Sequence, residues 1–296
     1  MMAARMLLAC SAAKDSLATL QILAAVYHRD NNGIPQARDI ARLFSTAEIK
    51  ACTKMLEQLA EEGDTDAMTL HGQFLERSGH NVSAKHWYEQ AVEHCKTKFD
   101  PRYPHPMALP REQPWIALAN RMLSENTPEA RAKAKAVLEK GAFKAGDPLA
   151  YYQLASLEDG TSPAWLTYMS KAAASGHLEA KHKLGHYYMD VDADPSSYLN
   201  NPRLRQALKF VTNWRPGSVQ SLAKEWFAVA AAGGHKPAML ELAELSSTEG
   251  DELGATTWLR HITDPPRSGE TEEWPKLVEQ ARKRLAGLGV ARPKPA

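Results

Sequence analysis

Apolar and small residues in this chain recur in a fixed relation to certain glycines. Around Gly234 they fall eleven, eight and four residues before it (Ala223, Trp226, Ala230). They fall again four, eight and nine residues after it (Ala238, Leu242, Ala243). Those intervals mark one face of a helix on each side of the glycine. The frame therefore predicts a helix, a tight turn and a second helix. Three other glycines carry it. Gly176 has Trp165, Tyr168 and Ala172 before it and Ala180, Leu184, Gly185 and Tyr188 after it. Gly146 has Lys135, Leu138 and Ala142, then Ala150, Leu154 and Ala155. Gly63 has Cys52, Met55 and Leu59, then Ala67, His71, Gly72 and Leu75. Lys135 and His71 are departures, so the array is degenerate.

Further units are partial. Ala84, Trp87, Tyr88 and Ala91 open one in which Cys95 stands where glycine is expected. Its second helix arrives late, as Trp115, Leu118, Ala119 and Met122, and the frame puts that turn near Pro110, so about fifteen residues are inserted. Ala255, Trp258, Leu259 and Ile262 open the last unit, and Trp274 to Leu285 closes it. Near the start, Thr19, Leu23, Ala24 and Tyr27 read as a lone second helix. Glycine at the turn accepts the left-handed backbone that ends the first helix. Asp64, Asp147 and Pro148 after it suit the first turn of the second. The aromatic eight residues before the turn is expected to fill the space between neighbouring pairs. One pair cannot bury its apolar face alone, and stacking does it.

The pattern A-x-x-W-[YF]-x-x-A-x-x-x-G-x-x-x-A-x-x-x-L-[GA]-x-x-Y resembles the Sel1-like repeat, a relative of the tetratricopeptide repeat. Ala223 to Ala243 and Trp165 to Tyr188 carry it best, within a span from about Cys52 to Ile262. The resemblance implies an all-α, right-handed superhelical α-solenoid of antiparallel helix pairs. Its concave surface would be lined by the first helix of each pair. It is specific for fold and poor for function, because such repeats serve many partners. The expected organisation is a single domain over 1–296, with N-terminal capping helices over 1–48 and degenerate repeats over 49–263. Irregular insertions fall at 96–114 and 190–220, a C-terminal capping helix covers 264–287, and a tail covers 288–296.

The insertions break the frame and are candidate partner surfaces. Lys96 to Pro114 holds five prolines, so it is not a helix. It interleaves Lys96, Lys98, Arg102 and Arg111 with Phe99, Tyr103 and His105, and Trp115 follows. Basic and aromatic residues on a loop can grip RNA or an acidic protein surface; a proline-rich loop packed along the array is the plainer alternative. From Asp190 to Gln220, Asp190, Asp192 and Asp194 lack the glycine and distant glutamate of a calcium loop. The helix expected at Pro202 to Trp214 carries Arg203, Arg205, Lys209, Trp214 and Arg215. The partner-binding candidates are thus Arg102, Tyr103, Arg111, Trp115, Arg203, Arg205, Trp214 and Arg215.

Composition changes this picture little. Of the 296 residues 44% are hydrophobic and 24% charged, ordinary for a folded chain that can bury a core. No stretch approaches the roughly 18 apolar residues a membrane helix needs. Met6 to Ala13 and Leu17 to Tyr27 are short and broken by Lys14, Asp15, Thr19 and Gln21. Basic and acidic side chains number 36 and 35, so no global attraction to a phosphate backbone exists. Cys10, Cys52 and Cys95 form neither a disulfide framework nor a zinc motif, and free thiols fit a reducing compartment. Met1 to Lys14, with Arg5 and no acid before Asp15, suits a mitochondrial presequence or a first structural helix.

No nucleophile elbow, Walker loop or Rossmann fingerprint occurs. The acidic cluster Glu57, Glu61, Glu62, Asp64 and Asp66 reads as a solvated helix end. His182 and His186 lie four apart on one helix, with His177 before them, a spacing that can hold a metal. They fall outside the small-residue positions and lack an evident third ligand, so exposed histidines are expected. These readings point to a non-catalytic scaffold or adaptor inside a larger, mitochondrial or cytosolic, multi-subunit assembly. Its partners would be other protein subunits, with no cofactor, membrane insertion or small-molecule substrate. An RNA- or ribonucleoprotein-associated subunit is the first alternative. A metal protein or enzyme using His177, His182 and His186 is the second.

Overall fold

The computed structural model describes residues 2–30, 35–95, 112–212, 217–266 and 272–288. Among them the chain is all-α. In order come α1 Met2–Ala12, α2 Ser16–His28, α3 Pro35–Ala41, α4 Thr46–Glu61, α5 Thr65–Arg77 and α6 Asn81–His94. Then come α7 Pro114–Leu123, α8 Pro128–Lys140, a π turn Gly141–Ala145, α9 Pro148–Ser156, α10 Pro163–Ala174 and α11 Leu178–Ala193. The rest are α12 Pro195–Leu199, α13 Pro202–Thr212, α14 Ser218–Ala232, α15 Lys236–Thr248, α16 Glu252–Thr263 and α17 Pro275–Gly287. They form two compact units, one within Met1–Ala150 and one within Tyr151–Pro266 with the described residues from Glu272 onward.

One turn builds most of the pairs. After α4, the Gly63 backbone is left-handed, with φ of 99°. Its N–H reaches Ala60 O at 3.1 Å, and the Asp64 N–H reaches Leu59 O at 3.0 Å. These two bonds satisfy carbonyls that the helix end would leave orphaned. Asp64 then caps α5, its Oδ1 accepting from Asp66 N and Ala67 N. A single residue thus closes one helix and opens the next. The same two-bond turn recurs at Gly79-His80, Gly176-His177, Gly234-His235 and Gly250-Asp251. It recurs too at Lys14-Asp15, where a lysine takes φ of 65°. The expected lone second helix near Thr19 is therefore half of an ordinary pair, α1–α2. Ala4 and Ser11 of α1 are buried.

The stacking residue sits one place later than the frame predicted. Met55, Trp87, Tyr168, Trp226 and Trp258 are only half-buried. Their successors Leu56, Tyr88, Met169, Phe227 and Leu259 are the buried ones. In the first unit the Tyr88 ring of α6 lies on Gly72 of α5; a Cβ on Gly72 would stand 2.5 Å from Tyr88 Cε1. In the second, the Phe227 ring of α14 lies on Gly185 of α11; there a Cβ would stand 2.3 Å from Phe227 Cε1. In terms of the frame, the small residue nine places after one index position (Gly63, Gly176) receives the aromatic seven places before the next (Cys95, Gly234).

The departure at Lys135 has a physical cause. At the π turn, Asp147 N–H bonds Gly141 O, six residues back, and Gly146 N–H bonds Ala142 O, four back. Each bond is one residue longer than at the other turns, so the helix has absorbed one extra residue. Shifting the frame by one puts buried Ala134 and Leu138 in place and leaves Lys135 half-buried.

The second expected insertion is not irregular. α11 runs on to Ala193, and α12 and α13 occupy most of the interval before α14. Asp194 accepts from the Ser196 and Ser197 hydroxyls at 2.5 Å, a local turn of the solvated kind expected.

Candidate functional site

Of the predicted partner residues, Arg102, Tyr103, Arg111, Trp214 and Arg215 lie outside the described residues. Arg203 and Arg205 are exposed on α13. Trp115 is not on an accessible surface: it is 4% exposed and stacks on Gly141, where a Cβ would stand 2.3 Å from its ring. Its indole N–H donates to Asp147 Oδ2 at 2.6 Å, while Asp147 Oδ1 accepts from Leu149 N. Burial pushes the Asp147 carboxyl above its usual range, and the indole and backbone donors pull it partly back. An aromatic beside a proline-rich segment reads as an anchor, but this one is a core side chain with a buried polar handle.

The richest chemistry among the described residues is in the second unit. Two imidazoles on α11 point their Nε2 atoms at one another, His182 to His186, 3.0 Å apart. His186 Nε2 also lies 3.4 Å from Glu241 Oε1 on α15. Phe227 forms the floor, with its ring centroid 5.7 Å from His182 and 5.2 Å from His186. His182 is half-buried rather than exposed, and its pKa falls to about 4, first by desolvation and then by His186 and His235. It is neutral at pH 7, with its ring nitrogens free of added charge. The third group that could join them as a ligand, and that the sequence did not reveal, is Glu241, 55 residues beyond His186 in the chain.

His235 stands beside this trio. Its ring centroid is 4.8 Å from that of His182, and its Nε2 is 3.0 Å from Glu179 Oε2. Two overlapping groups result, Glu179–His182–His235 and His182–His186–Glu241, in each of which the ligand atoms lie within 4.8 Å of one another. They are not equivalent. His235 Nδ1 accepts from Ala238 N as the cap of α15, so the ring proton is on Nε2 and is donated to Glu179. Desolvation lowers the pKa of His235, and Glu179 partly restores it. His177 is also a cap, its Nδ1 accepting from Ala180 N while its ring stacks on Tyr152 at 4.4 Å. The grouping of His177 with His182 and His186 is thus corrected: His177 has a capping task, and Glu241 takes its place.

The turn and the stacking contact define a protein of repeated helix pairs. Among solved structures the chain is similar to a Sel1 repeat protein from Oxalobacter formigenes. The two are 17% identical, over 96% of this chain and 90% of that one, with a TM-score of 0.23. No family model matches the chain, and no curated protein matches it. Among the described residues, no helix is long and apolar enough to cross a membrane.

Proposed function

We propose that this chain is a non-catalytic scaffold that holds other protein subunits within a larger assembly. The observation that carries the reading is the recurrence of one turn and one stacking contact. Both are made by inward-facing positions, which leaves outward-facing side chains of the described helices for partner contact. Val82, Val229 and Leu253 are large apolar side chains left exposed. Within either unit, a surface of this kind gains affinity from a few anchors rather than from a pocket. Arg203 and Arg205 of α13 are the described candidates for charged anchors on an acidic partner.

The test is cross-linking and affinity purification of the full chain from its own cell extract, beside the double variant Arg203→Glu/Arg205→Glu. A defined protein set recovered with the wild type and depleted with the variant supports the reading. Recovery of no partner overturns it. Salt-sensitive recovery of RNA in place of protein replaces it with the ribonucleoprotein alternative.

A further inference from the structure

We infer that His182, His186 and Glu241 form a binding site for a divalent first-row transition ion of the zinc class, and that the ion clamps α11 to α15. Three features support it. The first is ligand chemistry: two imidazole nitrogens and one carboxylate suit a borderline cation such as Zn²⁺. The second is spacing. Zinc bonds of about 2.0–2.1 Å at tetrahedral angles put neighbouring ligand atoms about 3.3 Å apart. Two edges of the trio, 3.0 Å between the imidazoles and 3.4 Å from His186 to Glu241, bracket that length. The remaining edge, from His182 to Glu241, is no more than 4.8 Å, within reach of a small glutamate rotation.

The third feature is availability. Among the described residues, no hydrogen bond outside the trio holds His182 Nε2, His186 Nε2 or Glu241. The helical pair needs only to move its shared proton: the Nε2 proton between the rings shifts to Nδ1 of the donor, and each Nε2 then offers a lone pair. His235 and His177 would pay for it. Each has its Nδ1 lone pair committed to a backbone N–H, so ligation through Nε2 means losing that helix cap or forming an imidazolate. That distinction selects one trio out of the two overlapping groups.

The side chains of His186 and Glu241 are 45% and 31% exposed, so an ion can enter without opening the core. Three protein ligands leave a fourth position, open to water or to a donor from a partner. The inference stands apart from the scaffold reading, since an ion can bind whether or not a partner does.

The experiment is calorimetric titration of the full chain with Zn²⁺, alongside His186→Gln, Glu241→Gln and the control His177→Gln. Each variant is first checked for wild-type helical circular dichroism. We expect one Zn²⁺ per chain. The first two variants should weaken binding tenfold or more, and the control should match the wild type. Co²⁺ gives a readout independent of the variants: an intense visible absorption of tetrahedral type should appear on binding to the wild-type chain. Absence of saturable Zn²⁺ binding overturns the inference. So does wild-type affinity in His186→Gln or Glu241→Gln, which would place the ion on other surface histidines. A Co²⁺ spectrum that stays that of the hydrated ion also overturns it.

Discussion

Gly185→Ala is the most searching change for the stacking scheme. In an isolated helix the substitution stabilises by about 1 kcal/mol, because alanine loses less backbone entropy and is the better helix former. Here the new methyl group would lie 2.3, 2.5 and 2.7 Å from three ring carbons of Phe227. That ring is fully buried, so it has no free end to swing away. Overpacking a filled core costs about 1–3 kcal/mol, and a blocked aromatic ring sits at the upper end. The expected net loss is about 2 kcal/mol, a fall in melting temperature of about 4–8 °C on the scaling for chains of this size. The assay is thermal and denaturant unfolding of Gly185→Ala, Phe227→Leu and the double variant. Phe227→Leu alone should cost a core-deletion penalty. Together the two should cost at least about 1 kcal/mol less than their sum, because the smaller side chain makes room for the methyl. If Gly185→Ala melts at or above the wild type, or if the two losses simply add, this contact does not set the approach of α11 and α14.

Trp115→Phe removes the indole donor to Asp147 and should cost about 1.5–3 kcal/mol, as for a hydrogen bond to a charged group. It should also raise the folded-state pKa of Asp147 further. A group whose folded pKa lies above its unfolded value loses stability as pH rises through the folded pKa. The gap between wild type and variant should therefore be wider at pH 7 than at pH 4 by guanidinium unfolding, and a constant gap would count against the buried pair. Deleting Lys144, exposed within the π turn, should restore an ordinary α-helical turn. The chain should stay folded within about 1 kcal/mol of wild type, whereas loss of helical circular dichroism on deletion would show that the frame shift was misread. Burial holds His71 below its ordinary pKa, partly offset by Glu57 and Glu61. Its contribution is complete above about pH 6.5 and is lost as pH falls through that value toward the lowered one. His71→Gln should thus flatten the decline in stability below pH 6.5, and an unchanged decline would assign the effect to other groups.

The pair frame was legible because a left-handed turn favours glycine so strongly that the sequence prints it. It failed at Lys14, where a lysine takes the same backbone at a cost of about 1–2 kcal/mol and leaves no glycine to index on. Adjacent positions on a helix lie only 100° apart. The half-buried Trp226 and the buried Phe227 could therefore not be ranked by periodicity, and only the geometry against Gly185 separates them. At the candidate metal site, the His182–His186 spacing was readable because both residues share one helix. Glu241 was hidden because its proximity comes from packing α11 against its neighbours, not from sequence distance. His177 was grouped with the ligand pair in sequence because it precedes them closely, and its place directly after a turn glycine, which makes it a cap, carries no such signal.

The shared turn residue has a practical consequence for anyone altering this chain. Gly63-Asp64 and Gly234-His235 begin with an exposed turn glycine, the usual choice for inserting a tag or a labelling peptide, although His235 itself is buried. They have no slack. The residue that follows the glycine donates its N–H backward and offers its side chain forward, so a lengthened connection must forfeit one role or the other. Where the chain carries one residue too many, at Gly141–Ala145, the surplus was taken up inside the helix and the connection stayed short. Grafts placed at these turns should therefore disturb both flanking helices, and the safer sites for them are outside the pairs.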